Sequence, residues 1–203
     1  MSVVAERRSK LAGALIDATL TRIEADGLKS LRARDLAKDV GCSLGAIYNV
    51  FRDLDDLLFH ANAQTLRDLG RALAEVSEKV PDQSPENRLI ALADGYLAFC
   101  QERPRRWNAL FTQRIAPGQA LPDWYHAVLV DLIARIAEPI EELFPNLPPK
   151  QHRELAEGLF AAAHGVISLG LQSAFFTTDP SRIRAMNAHL IRAFAASGKL
   201  PGS

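Results

Sequence analysis

Apolar residues recur along almost the whole chain at three- and four-residue intervals, and no run alternates apolar and polar positions as a strand would. Leu11, Ala14, Leu15, Ala18 and Ile23 mark a first helix that stops near Gly27. Ala33, Leu36, Ala37 and Val40 follow i, i+3, i+4, i+7, which predicts a second helix of about two turns. Gly41 then stands where a left-handed C-cap is wanted, and Ser43 where an N-cap is wanted. Ile47, Val50 and Phe51 supply the apolar side of a third short helix. Asp53, Asp55 and Asp56 suit the N-terminus of a fourth, which reaches about Lys79. Further helices are expected near 86–101, 105–113, 122–144, 149–176 and 179–197, separated by breaks that contain proline. Pro81-Asp82-Gln83-Ser84-Pro85 is the clearest linker. The pattern predicts an all-α chain: a three-helix unit over 1–52, a connecting helix over 53–80, and a larger helical bundle over 81–203.

The second and third helices are each too short to be stable alone. Joined by a tight glycine-containing turn, they form a helix-turn-helix, in which one helix braces the other so that its outer face can enter the DNA major groove. Stepping residues at 100° places Ser43, Val50 and Phe51 on the packed side with Ile47. Gly45, Tyr48, Asn49 and Arg52 lie on the other side. Glycine permits close backbone approach, Asn can read adenine, and Tyr and Arg can bind phosphate.

Charge agrees with that placement. The net charge is zero, yet residues 1–52 hold nine Lys/Arg against six Asp/Glu, leaving 15 against 18 beyond them. A polyanion partner is therefore expected at the N-terminal end. The 203-residue length can bury a core, and the 48% hydrophobic and 24% charged content is that of a globular chain. Cys42 and Cys100 are too few for a disulfide scaffold or zinc site and are expected to be reduced, buried thiols. No transmembrane run or secretory leader is read, so the expected location is the cytoplasm.

The stretches "RARDLAKDVGCSLGAIYNVF" and "DLDDLLF" carry a resemblance. Leu36-Ala37, Gly41, Ser43, Ile47-Tyr48, Phe51 and Leu57-Leu58 together resemble the N-terminal domain of the TetR/AcrR family of transcriptional repressors, over about residues 8–60. Three positions depart from the family pattern: Val50 replaces a usual His, Leu54 a usual phosphate-reaching Lys, and Arg32 a usual Ser or Thr N-cap. The resemblance implies double-stranded DNA as partner, contacted by Arg32, Arg34, Ser43, Leu44, Gly45, Tyr48, Asn49 and Arg52. Arg32, Arg34 and Arg52 are the expected phosphate anchors in place of the missing Lys, and solvated charge is the expected state of Arg22 and Arg67.

The C-terminal half shows no catalytic constellation. The five histidines (60, 126, 152, 164 and 189) are scattered, with His60 and His164 candidates for buried polar sites, and no metal or cofactor is expected. No G-x-S-x-G elbow or phosphate-binding glycine loop occurs. Large aromatics on amphipathic helices suit either a core or a small-molecule pocket. "LFAAAHGVISL" (159–169) resembles a branch of TetR-like C-terminal domains marked by Trp-His-Gly, with Phe160 at the Trp position and His164-Gly165 kept. The resemblance implies a pocket for a small apolar or aromatic effector, with Tyr96, Phe99, Trp107, Phe111, Tyr125, Phe160 and His164 as its residues. It also implies a homodimer built on the last two helices. Gly158, Ala161, Ala162, Ala163, Gly165, Gly170 and Ala174 keep one of them thin. Ile183, Met186, Leu190, Ile191 and Phe194 give the other an apolar stripe that suits an interface or a core. The expected function is a ligand-responsive, homodimeric repressor on a palindromic operator. Two alternatives stay open: the same fold with degenerate DNA binding, and an all-helical enzyme on a small hydrophobic substrate.

Overall fold

The computed structural model describes residues 3–79, 83–112, 121–172 and 179–197. These form nine α-helices and one 3-10 turn, with no strand among the described residues. The helices are α1 (Val3–Asp26), α2 (Ala33–Val40), α3 (Leu44–Val50), α4 (Leu54–Glu78), α5 (Pro85–Glu102), α6 (Pro104–Thr112), α7 (Asp123–Leu143), α8 (Pro149–Leu171) and α9 (Pro180–Ser197). Each lies within a few residues of its expected position. At the end of the expected linker, Ser84 accepts from Asn87 N at 3.3 Å and opens α5. Pro81, Asp82 and Ala174 lie outside the described residues. The 3-10 turn Leu28–Ser30 was not anticipated; it follows Gly27, whose φ of 79° ends α1.

Two compact units share these helices. The first comprises Met1–Asp68 and Glu102–His126, the second Leu69–Gln101 and Ala127–Ser203. In the first, Leu15, Leu31, Leu36, Ala37, Ile47, Phe51 and Leu57 form one buried cluster under α1–α4. Polar staples add to it. Arg22 on α1 makes a two-pronged contact with Asp39 on α2, one prong being Nη2 to Oδ1 at 2.9 Å, and this bond holds the Asp39 carboxyl below its ordinary range. Arg22 is thus paired rather than solvated. Arg106 on α6 reaches Asp68 at 2.6 Å and Thr65 at 3.4 Å on α4, while Arg105 donates to Glu24 O on α1 at 3.0 Å.

In the second unit Leu89, Ala93, Ile140, Ala156, Leu159 and Ile191 form the buried cluster. Arg88 ties α5 to Glu138 and Glu142 on α7. Among the described residues α8 is long and apolar enough to cross a membrane, a property it shares with core helices of globular bundles. It buries Ala156, Leu159, Ala163 and Ile167 against its neighbours.

Asn187 on α9 is the costly position in this core. It is 1% exposed, and among the described residues neither its Oδ1 nor its Nδ2 has a hydrogen-bond partner. Buried Thr19 and Thr65 bond to the carbonyl one turn back, at 2.7 and 3.2 Å, and buried His152 bonds to Phe144 O at 2.8 Å. Unpaired buried polar groups cost about 1–3 kcal/mol each. Asn187→Leu, similar in volume and lacking those groups, is expected to raise unfolding stability by about 1–3 kcal/mol in chemical denaturation; a decrease would show that the amide is satisfied in solution.

Candidate nucleic-acid interface

The turn between α2 and α3 forms as its residue types require. Gly41 adopts φ 71° and ψ 35° and donates to Ala37 O and Lys38 O, and Cys42 N closes on Ala37 O at 2.9 Å. This is a left-handed cap that a side chain at 41 would strain. Ser43 Oγ accepts from Ala46 N at 3.2 Å and starts α3. The placement of Ser43 on the packed side needs correction: it is exposed, because its hydroxyl serves the helix end rather than the core.

Beneath α3, Ile47 is fully buried and Phe51 is 3% exposed. Above it, Leu44, Gly45, Tyr48 and Asn49 are exposed on one face, Tyr48 at 48%. Two of the three positions that depart from the expected pattern, Val50 and Leu54, pack against the core cluster. They hold the unit together and do not reach outward.

The three arginines expected to anchor phosphates differ in their commitments. Arg32 folds back to Lys29 O at 2.8 Å and Leu31 O at 2.9 Å, closing the 3-10 turn. Arg52 donates its backbone N–H to Asp56 at 3.0 Å and its guanidinium at 3.3 Å. Arg34 is exposed and makes no hydrogen bond or ion pair among the described residues. Arg8 supplies a cation that sequence reasoning passed over: its Nη2 donates to Val50 O, the end of α3, at 3.4 Å. The available signal was spacing, since Arg8 lies one turn before Leu11, which packs on the same core.

The aromatic residues expected to line a ligand site fall into separate groups. Tyr96, Phe160 and His164 meet in the second unit. The Tyr96 hydroxyl is 2.9 Å from His164 Nδ1, and Phe160 lies 5.7 Å from the Tyr96 ring and 5.8 Å from that of His164. Burial lowers the affinity of His164 for a proton and pushes the neighbouring Cys100 thiol up to about 12. Phe99 is buried in the same helix as Tyr96. Trp107 and Phe111 pack together at 5.7 Å in the first unit, with Phe111 54% exposed. Tyr125 lies edge-on to Phe59 at 5.4 Å there, and burial raises its phenol to about 12.

The stripe on α9 is divided, which corrects part of the expected dimer set. Ile183 and Ile191 are each 1% exposed inside the single chain. Ile183 fills the space beside Gly170, where an added Cβ would come within 2.7 Å of it, and Ile191 belongs to the second core cluster. Phe194 is half-buried and packs on Phe144 at 5.2 Å. Met186 and Leu190 are half-buried. On α8, Gly158, Ala161 and Ala162 are exposed and Gly165 is half-buried, and among the described residues a Cβ added at either glycine would meet nothing within 4 Å beyond its own helix backbone and chain neighbours. Among the described residues no group of three His, Cys, Asp or Glu side chains stands together as a metal site would need.

Comparison with known proteins decides the family. The family described as the tetracyclin repressor-like C-terminal domain matches residues 89–194, more than half of the chain. The chain belongs to the tetracyclin repressor-like family. The HTH-type transcriptional regulator BetI of Escherichia coli strain K12 is 28% identical over 182 residues, covering 87% of this chain and 90% of that one. Among solved structures, a TetR-family transcriptional regulator from Streptomyces coelicolor superposes with a TM-score of 0.65 at 18% identity, covering 92% of this chain and 98% of that one. RolR in complex with resorcinol superposes with a TM-score of 0.69 at 18% identity, covering 96% and 93%. The all-α architecture with an N-terminal helix-turn-helix is that of the family's regulators.

Two glycines of this family fold separate stability from interface. Gly41→Ala is expected to cost about 1–2 kcal/mol, because a Cβ is strained at positive φ. Gly45→Ala meets only Ser43 Oγ, at 4.0 Å, and is expected to raise stability by about 0.5–1 kcal/mol through helix propensity. Thermal unfolding of the two variants checks both signs.

Proposed function

We propose that the protein is a cytoplasmic, ligand-responsive transcriptional repressor that binds a palindromic operator in double-stranded DNA as a homodimer. The observation that carries this reading is the outer face of α3, where Leu44, Gly45, Tyr48 and Asn49 stand exposed over a buried Ile47. A face of that composition, backed by a rigid core, suits the major groove. The regulator BetI, similar over most of both chains, supports it.

A homodimer gives the operator its symmetry, because two recognition helices then read half-sites about one helical turn apart. The open face of α8, with Gly158, Ala161, Ala162 and Gly165, has room for close approach by a second copy. Met186 and Leu190, half-buried on α9, remain from the expected set; Ile183 and Ile191 are buried inside the single chain. The effector is a small apolar or aromatic molecule held near Tyr96, Phe99, Phe160 and His164, and the resorcinol bound by RolR supports an aromatic class. Phe160 and His164-Gly165 stand for the Trp-His-Gly signature of one branch of the family. The effector acts by preferring the arrangement that does not fit the groove spacing.

A second reading, the same fold without sequence-specific binding, draws on the internal commitments of Arg32 and Arg52. Fluorescence anisotropy on duplexes tiled across the DNA upstream of the gene, to find a palindromic site, separates the two. Saturable binding is expected, weakened by Tyr48→Ala and Asn49→Ala on the palindrome more than on random DNA. Arg34→Ala is expected to lower affinity for every sequence and to reduce the log–log salt slope by about one. No binding to any duplex at low salt would overturn the repressor reading. Analytical ultracentrifugation checks the dimer: Gly165→Phe is expected to yield a folded monomer.

A further inference from the structure

Arg52 and Asp56 form a closed pair beside the end of the recognition helix, inside the first unit. α3 gives way at Phe51 to extended backbone, φ −117° and ψ 142°. Arg52 follows at once, and two of its groups meet one carboxylate in the first turn of α4. Its backbone N–H donates to Asp56 Oδ2 at 3.0 Å, and its guanidinium donates through Nη2 to Asp56 Oδ1 at 3.3 Å. The two side chains differ in freedom: that of Arg52 is 71% exposed and that of Asp56 13%. The Asp56 N–H in turn donates to Asp53 Oδ1 at 2.7 Å, which closes the first turn of α4, and the positive end of that helix favours a carboxylate there. Burial by itself would raise the Asp56 carboxyl, but the bonds from Arg52 outweigh it and hold the group below its ordinary range. The carboxylate is therefore fixed and charged, and the arginine is the partner with room to move.

We infer that Asp56 is a positioning residue that withholds Arg52 from the DNA backbone: its carboxylate holds the guanidinium against α4 and so limits sequence-independent affinity. The inference rests on the DNA-binding reading proposed above. α3 is about 10 Å long, and the major groove is about 12 Å wide with phosphates along both edges. A cation just past the end of α3 therefore lies where it can meet one of them. Such a contact forms with every sequence alike, and it adds affinity by releasing a counterion. Paired with Asp56, Arg52 brings no net charge to that contact, and a phosphate must displace the carboxylate to gain it. Exposed ion pairs of this kind are weak by themselves. This one has a lasting effect because Asp56 is also bonded to the Arg52 backbone, so the negative charge stays beside the arginine whichever way its side chain turns. Binding then leans on Leu44, Gly45, Tyr48 and Asn49, whose contacts depend on the bases they meet.

The test is a double-mutant cycle read as affinity for a random-sequence duplex across a salt series. Asp56→Asn keeps an acceptor for the Arg52 N–H and removes the charge that holds the guanidinium. It is expected to raise affinity for the random duplex by about three- to tenfold and to steepen the log–log salt slope by about one. Asp56→Ser, which also keeps a side-chain oxygen in the first turn of α4, should gain alike. In an Arg52→Gln background Asp56→Asn should gain less than about twofold, the non-additivity expected of residues in contact. A residue that merely supported the fold would lower affinity when replaced, not raise it. The proposal is overturned if Asp56→Asn and Asp56→Ser leave affinity and slope unchanged. It is overturned equally if Asp56→Asn gains as much without Arg52, since Asp56 would then act as an ordinary repelling charge. If the wild-type protein binds no duplex at low salt, the repressor reading fails; this inference then stands if Asp56→Asn gains duplex binding that the double variant lacks, and falls if it does not.

Discussion

The burial of Ile47 is the contact on which the rest of the N-terminal unit depends. α3 is seven residues long, well short of the length at which a helix holds itself in water. It persists because Ile47 and Phe51 enter a cluster with Leu15, Leu36 and Leu57, contributed by α1, α2 and α4. Removing roughly one leucine-sized side chain from water is worth about 1.5–3 kcal/mol, comparable to what a helix of two turns lacks. Everything on the outer face inherits its position from that inner one. Gly41 and Ser43 fix where the helix begins, and the core fixes which way it faces.

That dependence explains why Val50 and Leu54 are apolar. Both flank the cluster and add to it, so packing is gained where a polar side chain would have reached outward. The cationic groups around α3 are arranged accordingly. Arg22 staples α1 to α2, Arg32 closes the 3-10 turn, and Arg52 is drawn to Asp56. Arg34 remains available on the surface, and Arg8 stands at the end of α3. Local positive charge is thus spent partly on holding the motif in shape, and its capacity for phosphate is smaller than a count of arginines indicates.

Local features of the fold were legible in the sequence. Helix positions followed from apolar periodicity, and the α2–α3 turn followed from Gly41 and Ser43, because backbone conformation and capping are decided within a few residues. Features that depend on which residues meet across the fold were not. Apolar spacing marked Ile183 and Ile191 as a stripe but could not say what covers it; inside the chain it is covered by α8 and α5. Nothing about Arg32 in isolation indicates that Lys29 O and Leu31 O lie within its reach. The aromatic residues proposed as one ligand set were grouped by type, and the fold assigns Trp107, Phe111 and Tyr125 to one unit and Tyr96, Phe99, Phe160 and His164 to the other.

Selectivity at the proposed effector site would arise at the Tyr96–His164 junction. The Tyr96–His164 bond joins α5 to α8 inside the second unit, and Phe160 packs on both rings. Burial keeps His164 neutral, so the bond is between uncharged groups and carries little long-range field. A ligand that competes for Tyr96 or His164 must replace a hydrogen bond of ordinary strength, about 1 kcal/mol net. A ligand bearing a full charge would lose its hydration on entering beside these rings, at a far larger cost. An uncharged aromatic with one polar edge is the chemistry that disturbs this junction at least expense.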